Sequence, residues 1–156
     1  MSAEKADSST SNLLPIVNTN TDENEEPWYK DGLRFKCTGC GQCCTGSPGY
    51  VWVTADEIVD MAHYLGLSVD EFSAKYVRVV HNRYSLREDP KTYSCLFLKE
   101  NKCTVYEYRP KQCKTYPWWT SNLTSKEAWQ EASKWCEGIE HSEASVVSLE
   151  VIQQSF

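Results

Sequence analysis

The chain has 156 residues, enough for one domain with a modest core and little material for a second. Its composition is ordinary apart from eight Cys, six Trp and nine Tyr. A net charge of -6 with no dense basic stripe excludes a nucleic-acid surface, and no apolar run nears the ~20 residues that cross a membrane.

Residues 1–26 are polar and acidic, with Leu13, Leu14, Ile16 and Val17 as an apolar island. Such a segment does not offset the entropy lost on ordering it, so it reads as a disordered tail. It has no basic start followed by an apolar run, and its Glu4, Asp7, Asp22, Glu23, Glu25 and Glu26 carry the wrong charge for an organelle transit peptide. The expected location is the reducing cytoplasm. Order is expected from Pro27-Trp28-Tyr29, with 27–156 forming the domain.

Directly after this start comes Cys37-Thr38-Gly39-Cys40-Gly41-Gln42-Cys43-Cys44, four sulfurs in eight residues. Thr54 and Glu57 then form a capping-box signature ahead of Ile58, Met61, Ala62 and Leu65, which predicts an amphipathic helix ending at Gly66. Ser68 and Glu71 predict a shorter one carrying Val69, Phe72 and Tyr76. Val77 to Leu86 is β-branched and aromatic enough to read as a strand.

Cys95 to Leu98 and Cys103 to Tyr106 read as a β-hairpin. A three-residue loop, Glu100 to Lys102, would place Cys95 and Cys103 on one face, which suits joint metal binding; a two-residue loop, Glu100-Asn101, would place them on opposite faces. Pro110 suits the first position of a short helix carrying Cys113 and ended by Pro117. Thr124 and Glu127 mark a further helix through Ala128, Trp129, Ala132 and Trp135 to Cys136, ending at Gly138. A weaker helical pattern, Leu149, Ile152 and Gln153, closes the chain.

The chemistry lies in the cysteines. C-x-x-C is the spacing by which one loop supplies two thiolates to zinc, at about 2.3 Å, or to an iron–sulfur cluster. Two such steps share Cys40, and the interleaved glycines tolerate the positive φ that lets a loop aim several side chains at one point. Three other uses are weighed against metal. A disulfide framework suits an oxidising compartment; inert core cysteines come singly rather than four in eight residues; a thiol–disulfide catalyst places C-x-x-C at a helix start after a strand, and Gly41 follows Cys40 here. Cys95, Cys103, Cys113 and Cys136 raise the count to eight, enough for two four-thiolate sites or for one plus sulfurs that adjust it. Adjacent side chains diverge, so Cys43 and Cys44 are expected to serve different metals, or one of them to stay free.

From Lys30 to Trp119 there are 13 Lys and Arg against 10 Asp and Glu, a local excess of positive charge that favours thiolates. Arg109 either holds charge beside the sulfurs or pairs with an acid such as Glu107. Tyr116, Trp118 and Trp119 read first as core and second as a shield around a metal. His63, His81 and His141 have no second ligand at metal spacing and read as structural or surface residues.

These motifs together resemble a known family. Cys37-x2-Cys40-x2-Cys43-Cys44, Thr54-x2-Glu57-Ile58, Cys95-x-Phe97-Leu98, Cys103-Thr104-Val105-Tyr106, Arg109-Pro110-x2-Cys113, Tyr116-Pro117-Trp118 and Cys136-Glu137-Gly138-Ile139 are similar to YkgJ-type cysteine-cluster proteins, over Phe35 to Ile139. The resemblance implies zinc or iron chelation by all eight cysteines; a related domain occurs within flagellin lysine methylases.

The expectation is a small α+β domain of short helices and a β-hairpin organised around a cysteine–metal centre. The centre would be an iron–sulfur cluster, [4Fe–4S] in form, or Zn2+. Its role would be that of an accessory or redox module serving a protein partner. The alternative is a small metal-dependent enzyme of redox or methyl transfer, although Gly39-x-Gly41 is too short for a nucleotide or S-adenosylmethionine signature.

Overall fold

The structure, a computed structural model, describes residues 26–156. The tail expected over 1–26 lies outside the described residues, apart from Glu26. In chain order the elements are β1 (Leu33–Arg34), β2 (Val51–Val53), α1 (Ala55–Tyr64), α2 (Val69–Tyr76), β3 (Val77–Val80), β4 (Arg83–Leu86), β5 (Leu98–Lys99), β6 (Lys102–Cys103), α3 (Lys111–Lys114), α4 (Thr120–Leu123), α5 (Lys126–Ser133), β7 (Val146–Val147) and α6 (Leu149–Gln153). Short helices and small antiparallel sheets thus make one α+β domain. Among the described residues no helix is long and apolar enough to cross a membrane.

The first core forms around α1 and α2. Thr54 and Ser68 each accept from the amide of the Glu three residues on, and each Glu carboxylate accepts from the cap amide in return. These reciprocal bonds satisfy amide donors that a helix start otherwise leaves open. Ile58, Met61 and Ala62 are buried as their spacing predicts, whereas Val69 stays exposed on α2. Fully buried Phe72 packs against Tyr76 and Phe97, with ring centroids 5.1 Å and 6.1 Å away, in a cluster with Val53, Val77, Leu86 and Val105. Burying one such ring contributes about 1.5–3 kcal/mol.

Val77 to Leu86 corrects the reading of a single strand. It forms a hairpin, β3 and β4, turned at His81-Asn82, whose φ values are 47° and 60°. His-Asn occupies the place of the Asn-Gly or Asp-Gly pair that ordinarily marks such a turn, so the pattern carried no turn signal. β4 lies at the centre of a three-stranded sheet, with β2 on its other side.

A second core gathers the C-terminal half. Stacked Trp118 and Trp129, 5.4 Å apart, pack with Leu33, Leu123, Ala132, Cys136, Ile139 and fully buried Ile152. β1 pairs with β7, so the start and end of the described chain meet here. The α5 cap is Ser125 rather than Thr124, and regular helix stops at Ser133, short of the expected Gly138. Gly138 serves a different purpose: a Cβ there would sit 2.4 Å from the carbonyl oxygen of Lys36, so glycine permits the close approach of these two segments.

Candidate metal centre

Between the two cores lies a cavity of about 250 Å³, and all eight cysteines line it. Val51, Leu86, Phe97 and Val105 form its wall on the side of the first core, and Phe35, Tyr116 and Cys136 on the side of the second. Among the described residues no three Cys, His, Asp or Glu side chains already form a ligand shell for one ion. The thiols converge on a common space without being locked around a single point.

Each cysteine reaches this space by a local device. Gly39 and Gly41 have φ of 71° and 75°, which curls the first loop, and Gln42–Cys44 follows as one tight 3₁₀ turn. The Cys95 amide donates to the Cys44 carbonyl oxygen at 2.8 Å, seating that loop beside the hairpin. Cys113 stands on α3, whose Gln112 side chain accepts from the Trp52 amide at 2.8 Å and donates to the Tyr50 carbonyl oxygen at 2.9 Å. Pro110 takes the cap position of α3 rather than its first helical position. Cys136 follows α5, its amide still bonded to the Ala132 carbonyl oxygen at 3.0 Å.

The 95–106 hairpin departs from expectation in a useful way. Its ladder is only β5 with β6, and its loop is the two-residue Glu100-Asn101, with φ of 48° and 61°. A long ladder with that loop would separate Cys95 from Cys103. Instead the Leu98 amide bonds to the Cys95 carbonyl oxygen at 3.0 Å, so Cys95 sits in a turn outside the strand, and alternation no longer governs its direction. Both residues line the cavity.

The thiols differ in acidity. A hydrogen bond from the Cys44 thiol, aided by the Arg109 charge and opposed by burial, lowers Cys43 to about 6. The same thiol lowers Cys95 to about 7. Cys44, which holds the shared proton, is correspondingly raised. Burial pushes Cys113 up to about 12 and raises Cys103 and Cys136. At neutral pH the cavity therefore mixes ready thiolates with thiols whose protons a metal must displace. A soft, all-sulfur donor set of this kind fits zinc or an iron–sulfur group.

Arg109 reaches the site through Tyr106. Its guanidinium lies over the Tyr106 ring at 3.6 Å and its Nε donates to the Tyr106 carbonyl oxygen at 2.8 Å. Among the described residues it makes no ion pair with Glu107. Tyr106, which sequence reasoning passed over as a site residue, donates its hydroxyl to the Cys37 sulfur at 3.7 Å. Its place three residues after Cys103 and three before Arg109 was the available clue. Tyr116 and Trp119 line the cavity, while Trp118 belongs to the second core. His63, His81 and His141 stay away from the cavity wall.

The uncharacterized protein MJ0661 of Methanocaldococcus jannaschii is 33% identical over 92 residues, which cover 58% of this chain and 48% of that protein. The chain thus spans about half the length of this curated relative. No solved structure matches it. The profile of the CxxCxxCC family, described as "Putative zinc- or iron-chelating domain", matches residues 36–137, from just before the first cysteine to just after the last, and the chain belongs to that family.

Proposed function

We propose that this protein binds metal through the eight cysteines of the cavity, as an iron–sulfur cluster, [4Fe–4S] being the favoured form, or as zinc. The observation that carries this reading is the meeting of the 37–44 loop and four distant cysteines at one cavity. Cysteines that merely filled a core would be distributed through it singly. Phe35, Tyr116 and Trp119 also line the space, and an aromatic lining of this kind suits a cluster better than an isolated structural ion.

Cys37, Cys40, Cys43, Cys44, Cys95, Cys103, Cys113 and Cys136 are the proposed ligands. Arg109 and Lys114, both on the cavity wall, offset the negative charge of ionised thiolates. An iron–sulfur cluster would supply one-electron transfer, whereas zinc would supply a structural cross-link between the two cores. The proposed domain runs over 27–156 and acts in the cytoplasm as an accessory or redox module for a partner protein. Exposure of Cys37 and Cys43 favours, as a second reading, a small metal-dependent enzyme of redox or methyl transfer, because a catalytic centre keeps an accessible position.

Anaerobic purification followed by visible absorption and elemental analysis tests the proposal. Brown protein containing iron and sulfide is expected; colourless protein containing zinc reverses the choice of metal. Protein that neither carries nor takes up metal sinks the reading.

A further inference from the structure

Two sulfurs of the cavity wall, those of Cys44 and Cys95, are held together by the chain around them. The Cys44 side chain is in hydrogen-bond contact with the sulfurs of both Cys43 and Cys95. The backbone ties the second pair independently, since the Cys95 amide donates to the Cys44 carbonyl oxygen at 2.8 Å. Glu88 adds another tie: it pairs with Cys95 in an antiparallel bridge, and its Oε2 accepts at 3.3 Å from the amide of Gly49, in the segment leading from Cys44 to β2. Arg78 on β3 donates to the Gly49 carbonyl oxygen and to Glu88 Oε1, fixing both segments to the three-stranded sheet.

Cys44 thus touches a sulfur on either side, and covalent geometry separates the two contacts. The Cα atoms of residues joined by a disulfide stand about 4.4–6.8 Å apart. Cys43 and Cys44 are neighbours in the chain, with Cα atoms about 3.8 Å apart, so a bridge between them is strained. A backbone bond like that from Cys95 to Cys44 brings Cα atoms to about 5.5 Å, inside the range. Both Cys44 and Cys95 are half-buried, open enough to meet a small oxidant.

We propose that Cys44 and Cys95 form a reversible dithiol–disulfide site, oxidised by a hydroperoxide when metal is absent, so that the bridge and metal binding exclude each other. The competition rests on the metal-binding reading, because both sulfurs are among the proposed ligands; the bridge itself does not. The Cys95 thiolate attacks the peroxide, and an S–O bond forms as the O–O bond breaks and hydroxide leaves. The Cys44 sulfur then attacks the Cys95 sulfenic acid: the S–S bond forms, the S–O bond breaks, and the Cys44 proton leaves with the hydroxyl as water. The two sulfurs together give up two electrons, which reduce one peroxide. Transient redox-sensing disulfides of this kind occur in reducing compartments, where a thiol such as glutathione reverses them.

The test treats the reduced, metal-free full chain with one equivalent of hydrogen peroxide, blocks it with N-ethylmaleimide, digests it without reduction and maps it by mass spectrometry. Trypsin leaves Cys37 to Lys75 as one peptide and Thr92 to Lys99 as another, so the bridge appears as their cross-link. Free thiols are expected to fall by two from the eight of the reduced chain, with that cross-link as the main product, and dithiothreitol restores them. Cys44→Ser and Cys95→Ser abolish the cross-link, whereas Cys43→Ser forms it as the wild type does. Wild-type protein that is oxidised without this cross-link overturns the proposal even if no variant folds. A folded Cys44→Ser variant that retains the cross-link, or a folded Cys43→Ser variant that loses it, does the same. Zinc added before peroxide is expected to prevent the bridge; a chain that takes up zinc and still forms it at the metal-free rate overturns the competition. A chain that forms the bridge yet takes up no zinc, cobalt or iron loses the metal-binding reading and the competition with it, while the dithiol site stands.

Discussion

The backbone amide of Cys95 donates to the carbonyl oxygen of Cys44 at 2.8 Å, holding the cysteine loop against a hairpin far along the chain. That contact depends on a close approach at Gly41. A Cβ there would lie 2.5 Å from the Asn101 carbonyl oxygen and 2.9 Å from Leu98 Cδ1, at a φ of +75°. Gly41→Ala is therefore expected to destabilise the metal-free protein by at least about 2 kcal/mol, from left-handed strain and displaced backbone together. Gly39→Ala meets open space and should cost only about 1 kcal/mol, from its φ alone. Urea unfolding of the two variants compares them, and equal losses would contradict the contact.

Acidity should separate the thiols in metal-free protein. With Cys43 at about 6 and Cys95 at about 7, both are substantially thiolate at pH 7, whereas Cys113, at about 12, is protonated. Alkylation by iodoacetamide, mapped by mass spectrometry, should mark Cys43 and Cys95 well before Cys113. Since only the thiolate reacts, the Cys43 rate should fall about tenfold per pH unit below 6 and level off above it. Uniform labelling at pH 7 would refute this order.

Arg109 and Tyr106 act on different sulfurs. Arg109→Gln removes a charge that favours the Cys43 thiolate, so the alkylation midpoint of Cys43 should move to higher pH. Tyr106→Phe removes only the hydroxyl donor to Cys37 and should leave that midpoint in place. Identical profiles in both variants would mean that solvent screens the Arg109 charge.

Two large aromatic residues should respond differently to truncation. Phe72 is 0% exposed between Tyr76 and Phe97, and Phe72→Ala should cost about 3–5 kcal/mol through lost burial and a residual cavity. Trp135 is 73% exposed at the cavity rim, and Trp135→Ala should change stability by no more than about 0.5 kcal/mol. Thermal unfolding of the metal-free variants measures both.

Where an element is specified by neighbours in sequence, it was legible. The Thr54-Glu57 and Ser68-Glu71 caps and the burial of Ile58, Met61 and Ala62 all follow from contacts and spacings within four residues. The His81-Asn82 turn and the shortened 95–106 hairpin were not legible, because φ at a non-glycine turn and the end of a ladder depend on what packs against them.

Sequence alone determined the donor chemistry: eight cysteines, four of them spaced along a glycine-bearing loop, define the sulfur inventory whatever the fold. Tertiary structure decided where those sulfurs go. Two separate apolar cores leave one space between them, and backbone contacts such as Lys36 to Gly138 and Cys44 to Cys95 turn the loop toward both. Such contacts join residues far apart in the chain, so no local spacing encodes them. They arise only when hydrophobic burial brings the segments together.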